Sequence, residues 1–404
     1  MTLTDAYIYD AVRTPRGKGR EDGALAGLGP HELVAQLVAA LKDRAGAGAV
    51  DSASALILGC VGQVGAQGGN IALVSRLHAG LPHDTTAWTL NNFCVAGLTA
   101  AGQAAALASA GENRLMLAGG VEMMSHAPFM GDKASYYTDP DLARALRYAP
   151  VALSADLLAT KAGLDRAALD HEVIASHQRA ARAWAEGRHD AAVIPVRGPD
   201  GDALLERDEC IRSGMDQAAL DALPPAFEKL GAAGYDAMML AANPGLEQIT
   251  HLHAIAHCPP MADGAALVLI GSKAAGEAAG LKPKARIRAR IDRGGDPVDQ
   301  LTAGFAAMDA LLEETGLSLR DFDRIEFMEA FAAVPALFRR DRDADPDRVN
   351  LNGGHLAMGH PMGATGAILL TTLVHELIRC GGSLGLAVAH GGSGTGSAMI
   401  IERV

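Results

Sequence analysis

Residues 91–110, NNFCVAGLTAAGQAAALASA, place a cysteine just ahead of an alanine-rich helical run. Asn91 and Asn92 suit a chain entering a helix, and Gly97 lets a backbone or ligand come close. A helix N-terminus carries partial positive charge and unpaired N–H groups, which stabilise a thiolate and an oxyanion beside it. Cys94 therefore stands where a cysteine becomes a nucleophile. A small buried core side chain is the other reading of the same residue, and this stretch alone leaves both open.

Outward from this stretch, short apolar runs alternate with helical periodicity. Residues 6–12 and 55–60 read as strands, 30–41 and 71–79 as helices, and 115–118 as a strand closed by Gly119 and Gly120. From 123 to about 258 the alternation gives way to polar loops and helical stretches such as 165–186, an insertion expected to form a lid or binding subdomain. AALVLI at 265–270 restores a core strand, and 276–284 connects to a second half. There 286–292 and 323–327 read as strands, 303–315 and 364–379 as helices, and 385–389 as a strand. Cys94 precedes Gly119 by 25 residues and Gly363 precedes Ala389 by 26, so the halves suggest a duplication whose helix N-termini converge on one site. The expected division is 1–122 completed by the strand at 263–273, an insertion at 123–262, and a second half at 274–404.

The 404 residues exceed one ordinary core. With 49% hydrophobic but only 4% aromatic residues, the composition favours an α/β layered protein over a β sandwich. A net charge of −12 with no basic stripe argues against nucleic acid as a partner. The five cysteines form neither a disulfide framework nor a paired zinc signature, which fits a reducing cytoplasm. No signal-peptide pattern opens the chain and no apolar run reaches membrane-spanning length, so a cytoplasmic location is expected.

In MGHPMGATG, His360 sits in a glycine-rich turn opening a helix, where it suits the proton acceptor of a Cys–His pair. A buried, hydrogen-bonded histidine is its other reading. His390 closes an apolar strand and leads into GGSGTG, a run whose N–H groups suit an anion but equally make a plain turn.

VRTPRG, NNFCVAGL, LAGGVEMMS, DGAALV, MEAFA, NGGHLAMGHPMGATG and GGSGTGSAMIIERV follow one another across nearly the whole chain. In this order they resemble the thiolase family of acyl-coenzyme A enzymes, most of all the β subunits of fatty-acid-oxidising trifunctional complexes. The resemblance implies two βαβαβαββ halves in an α/β/α/β/α arrangement with an inserted loop domain over the coenzyme A site. It also implies a homodimer or dimer of dimers, a possible hydratase–dehydrogenase α subunit, and coenzyme A as substrate with no permanently bound cofactor. By the same resemblance Cys94 is acylated by a 3-ketoacyl thioester, His360 is the base, and the Gly392 N–H helps form an oxyanion hole.

Three positions depart from the family pattern. His390 replaces the usual acid/base cysteine and is the candidate to carry its proton, while the rescuing cysteine of sterol-carrier-type thiolases is Ala330 here. Met328 stands where an Asn or His holds the water of a second oxyanion hole, and a thioether is a poor hydrogen-bonding replacement. His257, Pro259 and Met261 lie in the stretch AHCPPMADG that should line the pantetheine arm. His251, His253, His257 and Cys258 match no standard zinc spacing, so no metal is expected. The leading expectation is thiolysis of 3-ketoacyl-coenzyme A or the reverse Claisen condensation. Altered chemistry follows (simple acyl transfer, thioester hydrolysis or decarboxylative condensation), and then a non-catalytic acyl-coenzyme A-binding subunit.

Overall fold

A computed structural model describes residues 5–111 and 113–404. The first half runs β1 (Ala6–Arg13), α1 (Pro30–Ala45), β2 (Ala55–Gly59), α2 (Ile71–His78), β3 (Thr86–Leu90), α3 (Ala96–Ser109) and β4 (Leu115–Met123). An excursion follows, with α4 (Val151–Ala162) and α5 (Arg166–Ala185) as its long helices, before β5 (Ala262–Ser272). The second half runs β6 (Ala285–Gly294), α6 (Ala303–Thr315), β7 (Arg324–Phe327), α7 (Ala333–Asp341), α8 (Thr365–Cys380), β8 (Leu384–Gly391) and β9 (Thr395–Arg403).

The strand order is β3-β2-β4-β5-β1-β6-β9-β8-β7. β2 is parallel to β3 and β4, while β5 is antiparallel to β4 and β1. In the second half β7 is parallel to β8, and β9 is antiparallel to β8 and β6. A parallel bridge from Ile325 to Val349 supplies the counterpart of β3. Each half thus repeats one topology, the geometric form of the duplication seen in the spacing. Pairing of Ala6–Ile8 with Ala285–Ile287 joins the two sheets into one hydrogen-bonded path.

α3 and α8 form the layer between the halves. α3 touches β2, β4 and β5 but also β6 and β9; α8 touches β7 and β8 but also β1 and β5. Burial follows this position: α8 is buried on nearly every face from Thr365 to Leu377, and an apolar helix buried all round belongs in an interior layer. The two helices meet through glycine. A Cβ on Gly97 would lie 2.8 Å from the Ala367 N, and one on Gly366 only 2.3 Å from the Leu98 N.

Gly119 and Gly120 correct the sequence reading. They do not close a strand; β4 continues through them to Met123. A side chain at 119 would strike the Ala266 carbonyl and one at 120 the Gly363 carbonyl, so close approach, not a turn, requires them.

The excursion is tied back by a buried ion pair. Arg13 donates two hydrogen bonds to Asp208, at 2.8 and 3.0 Å, and Trp184 Nε1 donates a third. Arg16 donates its backbone N–H to Asp208 and its guanidinium to the Gly359 carbonyl. The VRTPRG arginines thus connect the excursion to the loop bearing His360. The two neighbouring guanidiniums hold the Asp208 carboxyl far below the ordinary range against its own burial.

Overpacking a closed interface costs roughly 1–3 kcal/mol or more. Gly366→Ala is expected to lower unfolding stability by about 2 kcal/mol or more in urea titrations. Gly48→Ala, where an added Cβ meets nothing within 4 Å in a short helix, should leave stability unchanged or raise it by about 0.5 kcal/mol.

Candidate active site

Cys94 lies two residues ahead of α3, and His360 lies on the loop leading into α8. The expected role of the asparagines changes in detail. The α3 N-cap is Val95, without a side-chain cap. Asn91 instead accepts from the Phe93 N–H, with Phe93 at φ 47°, and Asn92 donates to Thr99 Oγ1. The pair shapes the tight turn that delivers Cys94 rather than capping the helix.

His360 is fixed from three directions. Its N–H donates to the Pro260 carbonyl at 2.8 Å, Arg16 holds the preceding Gly359, and Nδ1 shares a 2.7 Å hydrogen bond with Thr365 Oγ1. Nδ1 is thereby occupied, which leaves Nε2 for proton transfer. Behind the site the Glu122 carboxylate accepts from the N–H groups of Val61, Gly62 and Gly363 and from Gln67 Nε2, at 2.7–3.0 Å. One buried carboxylate thus joins a first-half loop to the start of the α8 turn. Sequence reading passed over it; its signal was a lone charge in β4, a strand buried along its whole length.

Cys94, His360, His390, Gly392 and Met328 line one largely apolar cavity of about 480 Å³, together with Pro259, Met261 and Ala330. A second cavity of about 230 Å³ shares Cys94 and Gly392 with it. Burial pushes the Cys94 thiol up to about 12, opposed by the backbone N–H groups of Gly392 and of Cys94 itself. Both donors therefore act at the sulfur. Burial, helped by Arg16, pushes His360 down to about 3. At rest the pair is a neutral thiol and a neutral imidazole.

His390 is fully buried on the cavity wall. Its ring stands edge-on to Phe305 at 4.7 Å, and a Cβ on Gly304 would come within 2.5 Å of its Nδ1. Neither ring nitrogen completes a well-formed hydrogen bond, and burial, weakly opposed by the Leu301 main chain, holds it down to about 4. Met328 is buried on the wall of the same cavity and presents only a thioether.

His257 does not reach the cavity. Its Nε2 is 2.7 Å from Asp170 Oδ1 and its Nδ1 accepts from the Ala254 N–H, so it braces the wall from behind while Pro259 and Met261 form the surface. His251 and His253 are likewise held by carboxylates, both at Asp156 and His251 also at Asp236. These three histidines clamp the 251–258 segment onto α4, α5 and the short helix Asp236–Ala242.

A thiol whose titration lies far above neutrality reacts in proportion to a thiolate fraction that grows with pH. Iodoacetamide labelling of Cys94 is therefore expected to accelerate roughly tenfold per pH unit from 7 to beyond 9. A plateau between pH 5 and 8 would instead reveal a standing thiolate–imidazolium pair and contradict the electrostatics given above.

Comparison with known proteins accounts for nearly the whole chain. Residues 6–235 match the family model described as "Thiolase, N-terminal domain", and 281–403 match "Thiolase, C-terminal domain". A steroid 3-ketoacyl-CoA thiolase of Mycobacterium tuberculosis is 34% identical, aligned over 100% of this chain and 95% of its own. A β-ketoadipyl-CoA thiolase of Pseudomonas putida is 34% identical over 100% of both chains. The crystal structure of the Bacillus anthracis acetyl-CoA acetyltransferase superposes with a TM-score of 0.84 at 28% identity, covering 100% of each chain.

Proposed function

The chain belongs to the thiolase family, and we propose that it cleaves a 3-ketoacyl-coenzyme A by thiolysis, or forms one by the reverse condensation. One observation carries this reading: Cys94, His360 and the Gly392 N–H meet on the wall of a single apolar cavity.

In the proposed cycle His360 Nε2 takes the Cys94 proton as sulfur attacks the 3-keto carbon. The N–H groups of Cys94 and Gly392 receive the oxyanion. Collapse breaks the C2–C3 bond, leaving the acyl group on Cys94 and acetyl-coenzyme A as its enolate. The proton taken by His360 is the one this carbon needs, and His390 is our candidate to carry it there. Neutral at rest, it accepts a proton at a ring nitrogen and releases the same proton to carbon. Coenzyme A then gives its thiol proton to the histidines and attacks the acyl group, and the departing Cys94 sulfur recovers that proton.

Residues 123–262 serve in this reading as the cover of the coenzyme A arm. Pro259 and Met261 touch the arm, and exposed Arg212, which lacks a carboxylate partner among the described residues, offers a cation at the cavity. The enzyme works with no permanently bound cofactor. The five cysteines are all unpaired, which supports a cytoplasmic location, and no described helix is long and apolar enough to cross a membrane. The open edge of β3, beside exposed Leu73, Val74 and Leu77 on α2, supports a homodimer formed there.

A specific observation also favours simple acyl transfer without C–C cleavage. His390 is packed edge-on to the Phe305 and Phe327 rings, and Met328 offers no polar group to a second oxyanion. Intact-protein mass spectrometry with acetoacetyl-coenzyme A, alongside an assay of acetyl-coenzyme A, separates the readings. Thiolysis gives an acyl adduct on Cys94, lost in Cys94→Ala, with acetyl-coenzyme A released. In His390→Ala the adduct should persist while release falls by roughly 10²-fold or more. An adduct without release in the wild type means acyl transfer alone. No adduct from any acyl donor means a binding subunit.

A further inference from the structure

The second cavity begins at the nucleophile. Cys94, Phe129, Val151, Met362 and Gly392 border both spaces, so the two adjoin at the nucleophile. A 3-ketoacyl thioester attacked at C3 has two arms at that carbon. One is the CH2–CO–S–coenzyme A arm and the other is the acyl substituent. In the reading above the arm bearing coenzyme A lies in the larger cavity, with Pro259, Met261 and Arg212. The substituent is left with the smaller one.

That cavity has a distinctive far wall. Tyr136, Tyr137 and Tyr148 form a mutual cluster, with ring centroids 5.2 Å apart for Tyr136–Tyr148, 5.9 Å for Tyr137–Tyr148 and 6.3 Å for Tyr136–Tyr137. All three rings line the space. The cluster is anchored to the catalytic loop, because the Tyr136 hydroxyl donates to Ser393 Oγ at 2.9 Å. Ser393, held at φ 57°, in turn donates its N–H to Gln300 Oε1. Gln300 is fixed by hydrogen bonds to Ser154 and the Ala149 carbonyl. The wall is thus braced from both sides rather than left as a loose loop.

Size and surface together narrow the occupant. About 230 Å³ falls below the usual range for drug-sized ligands, so the space suits a fragment of single-ring size rather than a long chain. Aromatic side chains reward a flat ring with edge-to-face or offset contacts beyond simple burial, each worth roughly two- to tenfold in affinity. A linear alkyl chain gains only the burial. Resting on the thiolase reading, we propose that the Tyr136–Tyr137–Tyr148 chamber is an acyl subsite selecting 3-ketoacyl thioesters with a compact aromatic or cyclic substituent at C3.

The test compares kcat/KM for thiolysis of three substrates: acetoacetyl-coenzyme A, 3-oxo-3-phenylpropionyl-coenzyme A and 3-oxopalmitoyl-coenzyme A. The phenyl substrate is expected to exceed both others by at least tenfold. Tyr136→Leu and Tyr148→Leu should each lower the phenyl-to-methyl ratio by roughly tenfold, whereas Tyr136→Phe, which keeps the ring, should keep most of that ratio. Using a ratio within one protein separates loss of the subsite from loss of fold, and two leucine variants guard against one that fails to fold. Cleavage in which the methyl or long-chain substrate equals or exceeds the phenyl one overturns this inference and leaves the thiolase reading standing. Unaltered ratios in both leucine variants overturn it as well. If none of the three is cleaved, the thiolase reading itself fails, and the chamber's assignment falls with it.

Discussion

The contact on which the site depends is the glycine-mediated approach of α3 and α8. Two helices whose backbones come this close bring their N-termini to nearly the same place, and each N-terminus carries one half of the candidate chemistry. Helix dipoles and unpaired N–H groups from both halves then add at one point. Side chains of ordinary size at 97 and 366 would drive the helices apart and separate Cys94 from His360. The alanine richness of α3 follows from the same constraint. It lies between two sheets and beside another helix, so bulk is excluded on most of its faces.

Polar groups buried around the site have to be compensated, and two carboxylates do so. Glu122 gathers donors from loops in both halves, and Asp208 gathers the arginines of VRTPRG. Each is buried and multiply bonded, so removing one partner would strand a polar group where no water reaches it. These ties hold the loops around Cys94 and His360 in place, and neither carboxylate lines the two cavities. They account for motif residues with no evident part in the chemistry.

Much of the fold was legible because periodicity is local. The helix at 303–315 and the βα alternation of both halves could be read from neighbours a few residues apart. What escaped was set by distant groups. Gly119 and Gly120 look like a strand terminus until the Gly363 carbonyl, on a loop from the other half, is placed against them. His257 falls within a pocket-lining stretch, yet its ring turns to Asp170, 87 residues away in the chain. Glu122 could be seen, but its donors lie from 55 to 241 residues away, so its purpose could not. Resemblance fixes where a residue stands along the chain and does not fix which way its side chain turns.

The surroundings of His390 illustrate how a bulky ring is seated in a closely packed cavity wall. An imidazole needs more room than a thiol, and here the room comes from α6. Gly304 presents no Cβ to the ring, and Phe305 meets it edge-on. The cavity wall therefore accommodates the larger group without displacing the strand that carries it, since β8 retains its full pairing with β9 through His390 and Gly391. The same cage determines what the ring can be. Surrounded by apolar surface and with neither nitrogen well bonded, it is held neutral. A neutral imidazole in such a place binds a proton only while another charge is present to balance it. During turnover the balancing charge would be the enolate formed by C2–C3 cleavage and then the thiolate of the incoming coenzyme A. A proton carrier of this kind would differ from a cysteine in one physical respect: its charged form is the protonated one, so its electrostatic environment must be restored as soon as the proton leaves.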